Sequence, residues 1–261
     1  MLTVAIDAAR EAGAFLKKSV GTFKHLERKI GQETNLVTEI DKQSEALIIS
    51  KIKAAYPDHA VLGEESGAST GASDTRWIID PLDGTTNFTH GLPLFSVTIG
   101  VEHKGELVAG VVYDPNADEM FTAEKGKGAF LNGKKIQVSS ADRLIESLLV
   151  TGFPYNVKEN PGQVMELFTD FLPVSQAVRR LGSAAIDLAY VACGRFDGYW
   201  EVYLHPWDKS AGVLLVREAG GRVTDFTNDE TNQVFTMNTL ATNGNIHDAM
   251  LEVIRARRSR A

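Results

Sequence analysis

Trp77-Ile78-Ile79-Asp80-Pro81-Leu82-Asp83-Gly84-Thr85-Thr86-Asn87 is the stretch on which the reading of the whole chain turns. Its first half is apolar and partly β-branched, the composition of a buried strand. Asp80 is expected to end that strand, because Pro81 lacks the N–H that a central ladder requires. Asp83, Gly84 and two threonines follow, the chemistry of a tight turn whose backbone N–H groups can come close to a ligand. Residues on one face of a strand are two apart, whereas Asp80 and Asp83 are three apart. The chain must therefore bend if both carboxylates are to converge. Two carboxylates held together repel unless a proton or a cation sits between them. Oxygen-only ligands favour Mg²⁺, Mn²⁺ or Ca²⁺ over zinc.

With 261 residues the chain has room for one large domain or two small ones packed together. Its 43% hydrophobic and 23% charged residues are those of an ordinary globular protein. A net charge of −7 argues against a dedicated nucleic-acid binder. An acidic protein that takes an anionic substrate needs local cations: lysines, helix N-termini or metal ions. The single cysteine, Cys193, lies in an apolar helix-like run, so a disulfide framework is excluded and a reducing compartment fits. It reads as a small buried residue rather than a nucleophile. The start shows no basic-then-apolar leader pattern, and no apolar run is long enough to cross a bilayer. A cytoplasmic location with no membrane partner is the expectation.

Outward from the central stretch, Leu2, Ile6, Ala9, Gly13, Leu16, Val20 and Phe23 predict a long amphipathic helix with a close approach at Gly13. Residues 24–35 read as a loop or short hairpin. Thr38 to Asp41 resembles a capping box opening a second helix that turns Ile40, Leu47, Ile48 and Ile52 inward and stops at Pro57. Asp41 is by itself equally a first-turn carboxylate favoured by the helix dipole. Val61–Gly63 predicts a short strand that ends in Glu64 and Glu65, followed by a Gly/Ser/Thr-rich loop. Phe95–Val101 alternates strictly and reads as a half-buried strand. Further strands over 107–113, 120–123 and 129–131, with a hairpin turn at Asn132-Gly133, make residues 75–138 an antiparallel meander.

Helical periodicity returns at Val164–Leu172, then at Ala184–Cys193 with Ser183 as N-cap. A strand over 196–202 ends near Glu201, and a helix over 208–219 is closed by Gly220-Gly221. Short strands at 222–226 and 240–242 precede a last helix carrying Ile246, Met250, Leu251 and Ile254. Strands and helices in both halves indicate a layered α/β or α+β protein. A soft boundary near residue 140 divides an N-terminal α+β subdomain, 1–140, from a C-terminal α/β subdomain, 141–261. Without linker composition between them, the two are expected to pack as one unit.

Several chemistries are absent. The six histidines show no HExxH spacing, and there is no GxSxG elbow or Walker loop. An EF-hand started at Asp80 would place Leu82 and Gly84 where acidic or amide ligands belong. Asp-Gly-Thr after a strand also suggests haloacid-dehalogenase-type phosphatases. Those use a D-x-D pattern near the N-terminus, whereas these aspartates are three apart and well inside the chain.

Gly63-Glu64-Glu65-Ser66, then Trp77 to Phe88, then Trp207-Asp208 before Gly220-Gly221 together resemble the inositol monophosphatase family, within the lithium-sensitive, Mg²⁺-dependent sugar phosphatases. The resemblance covers nearly the whole chain and implies an αβαβα layered sandwich. It implies that Glu64, Asp80, Asp83, Asp208 and the Leu82 carbonyl hold up to three Mg²⁺ ions, with Mn²⁺ as a substitute and Li⁺ as an inhibitor. Gly84 and Thr85 would hold phosphate through backbone N–H groups. The Thr85 hydroxyl, backed by Asp41, would orient the attacking water with Glu64. Ser183, Ala184 and Glu201 would line the sugar, and Arg179 is placed near the substrate or a dimer contact.

Taken singly, these residues have plainer readings. Trp207 suits core packing, Asp208 a first-turn helix position, Glu201 a surface acid and His205 a structural role. Only their joint occurrence lifts them. Lys29 matches a family lysine approximately, in a first loop slightly longer than usual. The function implied is hydrolysis of myo-inositol monophosphate by direct attack of a metal-activated water, without a phosphoenzyme, in a homodimer. Fructose 1,6-bisphosphate or histidinol phosphate would suit the same metal site. A non-catalytic interaction module on this fold is the reading from a different class.

Overall fold

A computed structural model of the chain describes residues 1–22, 26–29, 32–154, 157 and 161–258, with side chains described outside 26–29, 32–38, 161–163 and 257–258. The first half contains α1 (Leu2–Ser19), β1 (Leu26–Lys29), β2 (Gln32–Thr38), α2 (Glu39–Ala55), β3 (Ala60–Gly63), β4 (Gly67–Ala68), β5 (Thr75–Asp83), α3 (Thr85–Thr89), β6 (Ser96–His103), β7 (Glu106–Asp114), β8 (Glu119–Glu124), β9 (Gly128–Leu131) and β10 (Lys134–Ile136). The second half adds β11 (Leu148–Thr151), α4 (Pro161–Phe171), β12 (Ala177–Arg179), α5 (Ala184–Ala192), β13 (Gly198–Glu201), α6 (Pro206–Glu218), β14 (Arg222–Thr224), β15 (Thr239–Thr242) and α7 (His247–Arg258). The Thr38 cap, Lys29 and Phe23 lie outside the described side chains.

Two sheets carry the architecture. An eight-stranded sheet has the order β10-β9-β8-β7-β6-β5-β3-β4, and a five-stranded sheet the order β12-β11-β13-β15-β14. The meander from β5 to β10 is antiparallel throughout, while β3 joins β5 in parallel. Alternation along β5 assigns its side chains to different layers. Trp77 and Ile79 join Ala9, Leu16, Ile48 and Ile52 of α1 and α2 on one face. Ile78 points the other way, to Leu188 of α5 and Val213 and Leu215 of α6. Those two helices fill the space between the sheets. Beyond the small sheet, Leu167 and Phe171 of α4 and Met250 and Ile254 of α7 pack on Leu149, Trp200 and Leu240. The result is the expected αβαβα sandwich.

Burial corrects two local expectations. β6 is buried on both faces from Ser96 to Val101, rather than half-buried. Its alternation separates large from small side chains, not inside from outside. Gly100 is required on the α6 side, where a Cβ would stand 2.3 Å from Ser210 Oγ. On α1 the buried face is Ala5, Ala8, Ala9, Ala12 and Leu16, while Leu2 and Ile6 are only half-buried. Small residues let α1 lie close to the sheet, and the larger ones flank the contact. Gly13 makes the expected close approach: a Cβ there would stand 2.6 Å from the Tyr113 ring.

Candidate active site

The strand expected to stop at Asp80 runs on through Pro81 to Asp83. Asp80 pairs with Thr98 and Asp83 with Ser96, so three steps on β5 oppose two on β6. That is a β-bulge, and it resolves the spacing problem: the extra residue re-aims Asp83. Pro81 sits where the ladder is interrupted, so its missing N–H costs nothing there. The Ser44 hydroxyl donates to Pro81 O at 2.9 Å and ties the bulge to α2. Gly84 then turns with φ 94°, in the left-handed region, and opens α3. A Cβ on Gly84 would stand 2.9 Å from Leu94 O, so the turn leaves no room for a side chain.

A cavity of about 630 Å³ opens at this corner and brings together Glu64, Asp80, Leu82, Asp83, Gly84 and Thr85 from the first half. The second half contributes Ser183, Ala184, Glu201 and Asp208 to the same wall. Each is held by named bonds. Glu64 N donates to Ile79 O at 3.2 Å. The buried Glu45 accepts from Glu65 N at 3.0 Å and Ser66 N at 2.8 Å, fixing the loop that carries Glu64. Glu45 was not singled out in the sequence. Asp83 Oδ2 accepts from Ser183 Oγ at 2.6 Å and Ala185 N at 2.8 Å, which fastens the start of α5 to the bulge. Asp208 Oδ2 accepts from His205 N at 2.6 Å, so it caps α6 as a first-turn acid and also faces the cavity. Asp41 does not line the cavity. It is buried behind it, where Thr85 Oγ1 lies 3.1 Å from its Oδ1 and 3.1 Å from Leu82 O.

The electrostatics follow from this crowding. Burial pushes Asp80 and Asp208 well above the usual carboxylate range, and Glu64 and the neighbouring aspartates push further in the same direction. Burial lifts Asp83 to about 6 against the pull of its Ser183 and Ala185 bonds. Among the described hydrogen bonds, Asp80, Asp83 and Asp208 are each held through one oxygen only. Lys209 feels the charge of Asp208 but makes no described hydrogen bond to it. It is buried the other way, donating to Thr236 O and to Thr239 Oγ1 at 3.1 Å, and burial lowers it to about 8. Among the described residues no group of three acidic, histidine or cysteine side chains forms a ready-made ion cage. Like charges hold such groups apart until a cation draws them in. The donors themselves are hard oxygens, the set that suits Mg²⁺ rather than zinc.

The cavity residues outside the motif acids have different chemistry. Glu201 is buried, takes the Tyr199 hydroxyl at 2.6 Å, and is lifted by burial to about 7. Gly152 makes its space, since a Cβ there would stand 2.1 Å from Glu201 Oε2. Arg179 is exposed and is not among the cavity residues; its neighbour Arg180 is. Adjacent residues leaving a strand point to opposite sides, and β12 ends at Arg179, so the parity favours Arg180. Arg180 lies over the Phe153 ring, 5.7 Å from its centroid. Trp207, read as core packing, is part of the cavity wall and stacks on His205 at 4.8 Å. Asp187 also borders the cavity and was not singled out in the sequence, because an acid inside a helix pattern reads as a solvated position.

The geometry has counterparts among known proteins. The model of the inositol monophosphatase family matches residues 1–259. Nus factor SuhB of Salmonella typhimurium LT2 is 46% identical over 256 residues, covering 98% of this chain and 96% of that one. Inositol-1-monophosphatase of Mesorhizobium japonicum is 43% identical over 226 residues, covering 86% and 85%. The structure of inositol monophosphatase from Anabaena superposes with a TM-score of 0.88 at 42% identity, covering 98% and 95%. A match across the whole chain, on a fold that gathers the motif residues at one cavity, places this protein in the inositol monophosphatase family.

Proposed function

We propose that the protein is a Mg²⁺-dependent phosphatase that hydrolyses myo-inositol monophosphate to inositol and phosphate. The observation that carries this reading is that Glu64, Asp80, Asp83 and Asp208 share one cavity with Glu201. The first four, with the Leu82 carbonyl, would hold up to three Mg²⁺ ions. When bound, such ions neutralise the ester oxygens and lower the pKa of water.

The rest is the work of the chain. A Thr85 hydroxyl that donates to Asp41 keeps its lone pairs for a hydrogen bond from the attacking water. Glu64 faces the same space as an acceptor for that water's proton. The N–H groups of Gly84 and Thr85 hold the phosphate where the turn brings the backbone forward. Water adds to phosphorus as its proton passes to Glu64, the bond from phosphorus to the sugar oxygen breaks, that oxygen takes up a proton from solvent, and inositol and inorganic phosphate leave. Glu201 accepts hydrogen bonds from inositol hydroxyls, with Ser183 and Ala184 beside it.

The two relatives bear different names, so the names alone do not choose an activity. The intact acidic set favours an enzyme over a non-catalytic module, which has no need of all of Glu64, Asp80, Asp83, Thr85 and Asp208. A cytoplasmic homodimer inhibited by Li⁺ belongs to the same reading. The test is phosphate release with Mg²⁺ and with EDTA from myo-inositol 1-phosphate, fructose 1,6-bisphosphate and histidinol phosphate. Fastest Mg²⁺-dependent release from the inositol ester is expected. A faster sugar bisphosphate or histidinol phosphate would move the substrate, and no release from any of them would leave the interaction module.

A further inference from the structure

The cavity wall includes a carboxyl that the proposed chemistry does not use. Asp187 lies in the first turn of α5, borders the cavity and is 0% exposed. Among the described residues neither of its oxygens has a hydrogen-bond partner. Four other acids of this wall differ in that respect. Asp80, Asp83 and Asp208 take backbone N–H groups, and Glu201 takes the Tyr199 hydroxyl. Buried polar groups are almost always paired, so an orphan at a cavity wall points to a partner that arrives from the cavity.

A structural role in the helix does not account for Asp187. Ile186 N is taken by Ser183 Oγ at 3.3 Å, Ala185 N by Asp83, and the N–H of Asp187 itself by Ser183 O at 3.0 Å. Its side chain therefore caps nothing in the first turn. The charges that act on it are Glu201 and Asp83, which oppose its ionisation, and Arg180, which favours it, all of them cavity residues. Burial and the two acids hold it toward its neutral form, in which a carboxyl both donates and accepts. A polyol hydroxyl also does both.

We propose that Asp187 is a specificity-determining residue that, together with Glu201, reads hydroxyl groups on the alcohol half of a polyol phosphate. The inference rests on the phosphatase reading above and assigns it a second contact for the sugar. A site whose buried polar group is satisfied only by a substrate hydroxyl discriminates against esters that lack one.

The test compares kcat/KM, with Mg²⁺, for myo-inositol 1-phosphate and for 4-nitrophenyl phosphate, whose leaving group carries no such hydroxyl. The wild-type protein, Asp187→Leu and Asp187→Asn are measured side by side. The preference for the inositol ester is expected to fall about tenfold or more in Asp187→Leu, mainly through KM. Asp187→Asn keeps a donor and an acceptor and is expected to hold the preference within about threefold. If Asp187→Leu does not fold, Asp187→Ala removes the same oxygens without added bulk and carries the same expectation. Equal losses on both esters, or no loss on either, would overturn the proposal and make Asp187 a structural acid. If the wild-type protein released phosphate from neither ester, the phosphatase reading would fall and this inference with it.

Discussion

Replacing Asp83 by asparagine tests whether the cavity wall is under charge strain before any ion binds. Burial raises the folded-state pKa of Asp83 from its ordinary 3.8 to about 6, although Ser183 and Ala185 both donate to it. A gap of that size corresponds to a ceiling of about 3 kcal/mol at 1.36 kcal/mol per pKa unit. Asp83 keeps partial exposure and solvent screens part of that cost, so about 1–2 kcal/mol is the working figure. A carboxyl with a raised folded-state pKa favours the fold while it is protonated. That contribution is full below about pH 4 and is lost as the pH rises through about 6. Asparagine is neutral throughout and keeps an oxygen for the Ser183 and Ala185 donors. In EDTA at about pH 7.5 the variant should therefore melt about 2–8 °C above the wild-type protein, and the difference should close near pH 4. With Mg²⁺ the order should reverse, since the wild-type protein gains more from the ions than a variant short of one ligand, and Mg²⁺-dependent phosphate release should be lost in the variant. Differential scanning calorimetry at the two pH values, with and without Mg²⁺, reads each of these. A variant that melts several degrees below the wild-type protein in EDTA at the higher pH would refute the reasoning.

Three other substitutions probe separate parts of the structure. Thr85→Val deletes the hydroxyl that bonds Asp41, and steady-state kinetics should show kcat falling by about 10²–10³-fold with KM nearly constant. Gly152→Ala places a methyl group 2.1 Å from the present position of Glu201 Oε2. Glu201 must move, and KM for the inositol ester should rise by about tenfold or more, with little effect on an ester without hydroxyls. Gly100→Val drives a branched side chain into Ser210, 2.3 Å from the nearest atom, and urea unfolding should show a loss of about 1–3 kcal/mol.

What the sequence made legible was local chemistry. Asn132 and Gly133, at φ 49° and 78°, form the expected two-residue turn between β9 and β10, with Leu131 paired to Lys134. Ser183 caps α5, and Gly220, at φ 91°, follows the end of α6. Glu64, Asp83 and Asp208 were legible for the same reason, since each sits at a strand or helix end that its own neighbours mark. What was hidden depends on partners far away in the chain. β11 and β12 are three or four residues long, and only pairing with each other and with β13 makes them strands. The bulge that carries β5 on to Asp83 appears only in its register with β6. Helix α6 starts at Pro206, two residues before the expected Asp208, because His205 and Asp208 cap each other. Arg180 lines the cavity in place of Arg179 through the parity of one short strand, and a one-residue difference of that kind leaves no mark in composition. Asp187 and Glu45 carry no motif of their own, and only the fold shows that both are buried.

The central claim is that acids distant in the chain jointly hold hard cations at the mouth of β5. Its most direct measurement is a crystal of the protein soaked in Mn²⁺, with anomalous diffraction collected at the manganese edge. The account expects anomalous peaks among the carboxylates of Glu64, Asp80, Asp83 and Asp208, at oxygen distances of about 2.0–2.3 Å. Well-occupied manganese elsewhere with none inside this cavity would contradict it.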